Sequence, residues 1–261
     1  MLRYGYLVVE GPHDIEFAAR LLKPYGLERV KKLSELDPFW KKLVPDRFPP
    51  DGEDLLKRVP VPTFLQSTYY SIALHSAIGD TRLIETIEES LSFIQLTKLV
   101  GIGLMADADK LQPEQRFSEL IKRISSKRSL ALLSLPSSPG HVQRVSSYRF
   151  GIFILPDNQL QGTLETILLE CAQANYHDLF EEAQDFVDNI DKRNLEEKDL
   201  EEYNKPAGKN KAIVASIVSI LKPGKSTQVS IQDNRWIDTK TIALLQVKKV
   251  QDFLIDLFNL S

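Results

Sequence analysis

Apolar residues first gather at Tyr6-Leu7-Val8-Val9, an unbroken run that predicts a strand over Tyr4–Glu10 buried on both faces. Gly11-Pro12 breaks it. Ile15, Ala18, Leu21 and Leu22 then recur at helical spacing and predict a helix over His13–Lys23, stopped by Pro24 and Gly26. The same alternation returns three times. Tyr69–His75 reads as a strand, followed by a helix over Thr81–Leu96 with Leu83, Ile84, Ile87, Leu91 and Ile94 as its apolar stripe. Leu99–Met105 reads as a strand with a helix over Pro113–Ile124, and Arg149–Leu155 as a strand with a helix over Thr163–Ala172. Strands alternating with helices of this length imply βαβ units, hence an α/β domain over residues 1–175 with a mainly parallel four-stranded core sheet and helices on both faces.

Two stretches break the rhythm. From Val30 to Thr68, Pro38, Pro45, Pro49, Pro50, Pro60 and Pro62 punctuate a segment anchored by Phe39, Trp40, Phe48 and Phe64. That many large apolar groups predict an ordered insertion with a short helix and an edge strand, covering one side of the sheet. After residue 175 no strand pattern returns. Helical patterns at Tyr176–Ile190, Lys211–Leu221 and Val247–Leu257, with the charged stretch Asp191–Glu202 as a solvated helix or hinge, predict a mainly helical C-terminal extension over 176–261 packed on the domain.

Composition narrows the functional classes. The 261 residues are 43% hydrophobic and 26% charged, the balance of a globular chain, and the formal net charge of −3 argues against an unspecific polyanion binder. Cys171 is the single cysteine, so neither an internal disulfide nor a cysteine zinc cluster can form; its apolar neighbours read as core. No signal-peptide pattern opens the chain and no apolar run approaches the ~20 residues of a membrane span, so a cytoplasmic, non-membrane protein is expected.

The candidate chemistry lies at strand ends. In an open parallel sheet, ligands bind beyond the carboxyl ends of the strands. Glu10 closes the first strand, and Asp107 and Asp109 follow the third, so all three carboxylates reach one edge. If strand conformation persists past Asp107, period-2 geometry sends both aspartates to one side. Neighbouring carboxylates repel by about 1 kcal/mol per pair in water and about 4 kcal/mol at an effective dielectric of 20. Protons or a hard cation such as Mg²⁺ or Mn²⁺ must offset this. A plainer reading stands beside it, with Glu10 as a helix cap and the aspartates as turn residues.

The segments Val8-Val9-Glu10-Gly11-Pro12-His13-Asp14 and Gly103-Leu104-Met105-Ala106-Asp107-Ala108-Asp109 resemble the two motifs of the TOPRIM superfamily. That superfamily includes primases, type IA and type II topoisomerases, overcoming-lysogenization-defect (OLD) nucleases and small stand-alone proteins. The resemblance covers roughly residues 1–175 and implies a Rossmann-like TOPRIM domain. It further implies Glu10 as metal ligand or general acid/base and Asp107 and Asp109 as metal ligands. Glu165, in Gly162-Thr163-Leu164-Glu165, matches a further acidic residue of the OLD nucleases; its plainer reading is an exposed first-turn glutamate favoured by the helix dipole. OLD nucleases use a lysine near the metals, a role that the resemblance offers to Lys209 or Lys211 with no motif to align them; their plainer reading is a solvated helix start. Lys110-Leu111-Gln112 replaces the glycine that often follows Asp-x-Asp in topoisomerases, and nothing in the chain reads as a zinc-binding domain, a nucleophilic-tyrosine domain or an ATPase. The expectation is Mg²⁺-dependent phosphodiester chemistry on DNA or RNA. The competing expectation is a non-catalytic module that binds nucleotide, nucleic acid or protein, beside a separately encoded ATPase.

Three further features bear on function. Pro223-Gly224-Lys225-Ser226-Thr227 imitates the end of a P-loop, but Ser219 stands where the first glycine is required. His13, His75 and Asp80 lie near the same sheet edge. Lys122, Arg123, Lys127, Arg128, Arg144 and Arg149 form the one basic stretch, read either as a phosphate-tracking surface or as a solvated face.

Overall fold

The computed structural model describes residues 2–47, 60–145, 147–190 and 194–261. Its centre is β1 (Arg3–Val9), whose buried residues alternate between two cores. Tyr6 and Val8 point to one face, Leu7 and Val9 to the other. An apolar residue at every position of such a strand is what burial on both sides demands.

Helix α1 (Pro12–Leu22) returns the chain, and two short strands follow, β2 (Glu28–Arg29) and β3 (Thr63–Gln66). Then come β4 (Tyr70–Ser76), α2 (Leu83–Phe93), β5 (Leu99–Asp107), α3 (Pro113–Ser125), β6 (Val142–Arg144), β7 (Arg149–Leu155) and α4 (Leu164–Asn175). The sheet has seven strands in the order β2-β3-β4-β1-β5-β7-β6. The contiguous strands β4, β1, β5 and β7 run parallel, while β3, β2 and β6 are antiparallel additions. The sheet is thus wider than the four strands expected from the sequence. Glu28-Arg29 and Val142–Arg144 are too short and too polar to announce themselves as strands.

The insertion supplies β3, which pairs internally with β4 and leaves β2 on the edge. Trp40 from the same segment is fully buried, donates to Ser71 Oγ at 2.9 Å and packs against Tyr4, Phe39 and Phe64. Residues 48–59, with Phe48, Pro49 and Pro50, lie outside the described residues.

Helices α2 and α3 cover the Tyr6/Val8 face through Leu83, Ile84, Ile87, Phe117, Leu120 and Ile124. Helices α1 and α4 cover the other face together with three C-terminal helices, α6 (Gly208–Leu221), α7 (Thr227–Asp233) and α8 (Leu245–Phe258), while α5 (His177–Asn189) links α4 to that layer. The C-terminal helices therefore complete the core of the sheet. Helix α8 lies directly on β5: a Cβ at Gly101 would meet the carbonyl of Leu257, and one at Gly103 would come within 2.5 Å of its side chain. Of the charged stretch 191–202, the described part holds one 3-10 turn, Glu197–Asp199, rather than a helix. Among the described residues no helix is long and apolar enough to cross a membrane.

Candidate functional site

The chain leaves β1 for β4 on one side and later crosses to β5 on the other. The crevice between the carboxyl ends of β1 and β5 is thus the point where strand order reverses, the place where open α/β sheets bind ligands. Glu10 follows β1 and Asp107 ends β5, one on each side of it. The Asp107 N–H donates to Glu10 Oε1 at 3.0 Å.

The two faces bring different charges to this edge. From the α2/α3 face, Arg116 of α3 donates through Nε to the Asp107 carbonyl at 3.1 Å and through Nη2 to Glu10 Oε1 at 3.3 Å, and pairs with Asp80. Arg123 also pairs with Asp80. Glu10 is thereby partly compensated. Burial still raises its pKa, opposed by the Asp107 N–H and by Arg116, while Asp80 and Asp109 add repulsion.

The α1/α4 face brings acid without such compensation. Asp14, buried in the first turn of α1, accepts from the Gly11 N–H at 2.7 Å. Burial raises its pKa to about 8; the Gly11 bond opposes this, Glu10 and Glu165 reinforce it, and Lys211 opposes it. Asp107 is held well above the ordinary carboxylate range, first by burial and then by Asp14, Glu10, Glu165 and Asp109. Its Oδ1 accepts from the Leu164 N–H at 3.0 Å, at the start of α4. Glu165 is buried, at 7% exposure, and accepts from Thr163 Oγ1 at 2.7 Å, so it is not the exposed first-turn residue of the plainer reading. Burial lowers the His13 pKa, while Glu165 raises it and Lys211 lowers it. Lys211 thus reaches the field of the cluster, whereas Lys209 pairs with Asp188.

Asp109 sits differently from its expected position. The strand ends at Asp107, and Asp109 adopts φ +52°, exchanging backbone hydrogen bonds with Gly162 at 2.9 and 3.1 Å. Strand alternation therefore stops before Asp109 and does not set its direction; the residue is exposed at the mouth, coupled to Asp107 and Glu10 through its charge.

Sequence reasoning missed Asp14 and Arg116. Asp14 lies in the quoted first motif, and its spacing from Glu10, just over one helical turn, was the available signal. Arg116 looks like any polar position of an amphipathic helix. Conversely, His75 does not line the site: it is buried among Tyr6 and Ser90, with Nδ1 2.7 Å from Tyr6 Oη and Nε2 3.0 Å from the Pro60 carbonyl, and burial lowers its pKa to about 4. Three of the six residues of the basic stretch are spent on ion pairs. Arg123 and Lys127 pair with Glu85, Lys127 also with Glu88, and Arg144 with Asp256. Cys171 is buried, its thiol pushed up to about 12, as a core residue should be.

The family model described as "Protein of unknown function (DUF3226)" matches residues 4–259. The chain belongs to this family. The match includes the C-terminal helices, in keeping with their place in the core. The crystal structure of hypothetical protein PH0156 from Pyrococcus horikoshii OT3 is similar in fold, with a TM-score of 0.53 at 16% identity over 99% of this chain and 96% of that one. No curated protein matches the chain.

The donor set consists of hard carboxylate oxygens carrying more negative charge than the neighbouring cations offset, which suits a divalent cation such as Mg²⁺ or Mn²⁺. Among the described residues, however, no three His, Cys, Asp or Glu side chains stand together as a group able to hold a metal. Glu10, Asp14, Asp107 and Glu165 each spend one oxygen on a local donor instead. The chemistry of the donors fits a cation, while their arrangement is that of a cluster held by N–H and O–H groups.

Proposed function

We propose that this chain carries a Rossmann-like TOPRIM domain that performs Mg²⁺- or Mn²⁺-dependent phosphodiester hydrolysis or transfer on nucleic acid in the cytoplasm. One observation carries the reading: an under-compensated acidic cluster of Glu10, Asp14, Asp107, Asp109 and Glu165 at the β1/β5 switch point, with Asp14 and Asp107 titrating far above ordinary aspartates. Glu10, Asp107 and Asp109 are the metal ligands of this reading, with Asp14 beside them. The cation, when bound, supplies activation of water and charge stabilisation at the leaving oxygen. Glu165, held by Thr163, adds negative charge beside Asp14 and Asp107 and assists them in this reading. His13, in the first turn of α1 with its pKa lowered by burial, is the proton acceptor of this reading. Lys211 supplies positive charge for a substrate phosphate.

The test is incubation of the protein with single-stranded DNA, duplex DNA and RNA in Mg²⁺ or Mn²⁺, beside Asp107→Asn. Cleavage by wild type and its loss in the variant is the expected result. Equal cleavage by both assigns the activity to a contaminant. The second reading, a non-catalytic module for nucleic acid or for a separately encoded ATPase, draws on the absence of a three-residue metal group among the described residues and on the ion pairs of Arg123, Lys127 and Arg144. Binding of nucleic acid without turnover in either metal favours it.

A further inference from the structure

Strand β2 is one edge of the sheet, and among the described residues no strand pairs with its outer side. Its register fixes what that side offers. Glu28 and Arg29 lie opposite Gln66 and Leu65, and the Val30 N–H donates to the Phe64 carbonyl at 2.9 Å. In an antiparallel ladder bonded and non-bonded pairs alternate. Glu28 and Val30 therefore turn their main-chain groups to β3, while Arg29 turns its N–H and carbonyl outward. The backbone is still extended at Lys32, which carries the alternation on to Lys31.

A cavity lies on each face of this edge, and Arg29 and Lys31 line both. The cavity on the α1 face, about 380 Å³, is bounded by Ala19, Leu27 and Leu65 and by charged groups. The cavity on the opposite face, about 440 Å³, is bounded by Val30, Leu36, Val44 and Phe64. Charge collects in the first. Arg29 pairs there with Glu16, Arg20 donates to the carbonyls of Gln232 and Ile237, and Asp233 pairs with Lys222. Lys23 and Lys31 are left without an ion pair among the described residues, against one unpaired acid, Glu28.

We propose that this edge takes an extended segment of a partner protein as an added strand, a segment in which acidic side chains alternate with apolar ones. Successive side chains of a strand point to opposite faces, so the acids enter the cavity of Lys23 and Lys31 and the apolar groups that of Leu36 and Phe64. The outward groups of Arg29 and Lys31 supply the main-chain bonds. A second copy of this chain is the poorer occupant, because pairing edge to edge sets the cations of one copy beside those of the other.

The experiment is fluorescence anisotropy of a labelled Val-Glu-Val-Glu-Val-Glu-Val peptide titrated with the full chain. The peptide binds, and Lys31→Glu, a change at an exposed residue, weakens binding tenfold or more. A peptide of the same composition with valines and glutamates in two blocks also binds at least tenfold more weakly. Methylating the main-chain amides of one alternating set, valines or glutamates, abolishes binding, and methylating the other set leaves it within about threefold, because only one set faces β2. No binding up to about 1 mM, unchanged affinity in Lys31→Glu, equal binding of the block peptide or equal loss from both methylations overturns the proposal. A dimer of the chain that the peptide dissociates assigns the edge to a second copy and overturns it too.

Discussion

The main-chain N–H of Asp107 donates to Glu10 Oε1 at 3.0 Å, so the carboxylate after the first parallel strand is fastened to the end of its neighbour. This bond joins the two sides of the crevice where strand order reverses. It makes the spacing of the acidic cluster a property of β-sheet register, with Val9 opposite Met105 just before the two acids. The geometry of the site depends on that register.

Asp14 is buried in the first turn of α1. Its folded pKa of about 8 lies above the ordinary 3.8 that the unfolded chain shows. The unfolded state alone gains by ionising between these values, so the folding penalty is absent below pH 3.8, grows as pH rises and is complete above pH 8. In metal-free buffer, Asp14→Asn, whose amide oxygen can still accept from the Gly11 N–H, should be more stable at pH 7 by on the order of 2 kcal/mol or more. The gain should fade towards pH 4. Urea denaturation at both pH values checks this; a variant less stable at pH 7 would show that the Asp14 charge is compensated.

His75 runs the other way. Its folded pKa of about 4 lies below the ordinary 6.5, so folding favours the neutral ring. The stability it contributes is whole above pH 6.5 and is lost as pH falls towards 4, amounting to roughly 3 kcal/mol. The carboxylates with raised pKa values slope oppositely over that range. The informative quantity is therefore the difference between wild type and His75→Gln, which should narrow from pH 7 to pH 4. A constant difference would mean that His75 titrates normally.

Gly101 tests the placement of α8. An alanine there drives its Cβ into the Leu257 carbonyl and should cost about 1–3 kcal/mol as overpacking, with altered near-ultraviolet dichroism. An unperturbed Gly101→Ala protein would place α8 elsewhere.

Asp109 tests the mouth of the site. At φ +52° a Cβ costs about 1–2 kcal/mol where no local side-chain bond repays it. Asp109→Gly should therefore be more stable than Asp109→Ala by roughly 1 kcal/mol in thermal melts, and the reverse order would argue for strand geometry at this residue.

Particular residues show what the sequence made legible. The parallel strands could be read because burial on both faces removes polar alternation, leaving runs such as Tyr6-Leu7-Val8-Val9. Helices α1, α3, α4 and α8 lie within three residues of their expected bounds because Pro12, Pro113 and the apolar stripes mark them. Edge strands of two or three residues carry no periodicity, and α7 is a single short helix in polar sequence, so neither was visible. At the site, Glu10 and Asp107 could be placed by strand ends alone. Asp109 could not, because one left-handed residue suspends strand alternation. Arg116 could not either, because its partners lie 36 and 106 residues away and meet only in the folded chain.

The central claim, a cation site centred on Asp107, is tested most directly by titrating Mg²⁺ and Mn²⁺ into wild type and Asp107→Asn and following thermal unfolding. Binding to the native state alone adds about 2.7 kcal/mol at a hundredfold excess over Kd. Tm should rise for wild type and not for Asp107→Asn, which in metal-free buffer should itself melt higher because a repelled charge is gone. An equal rise in both proteins, or none in either, would contradict it.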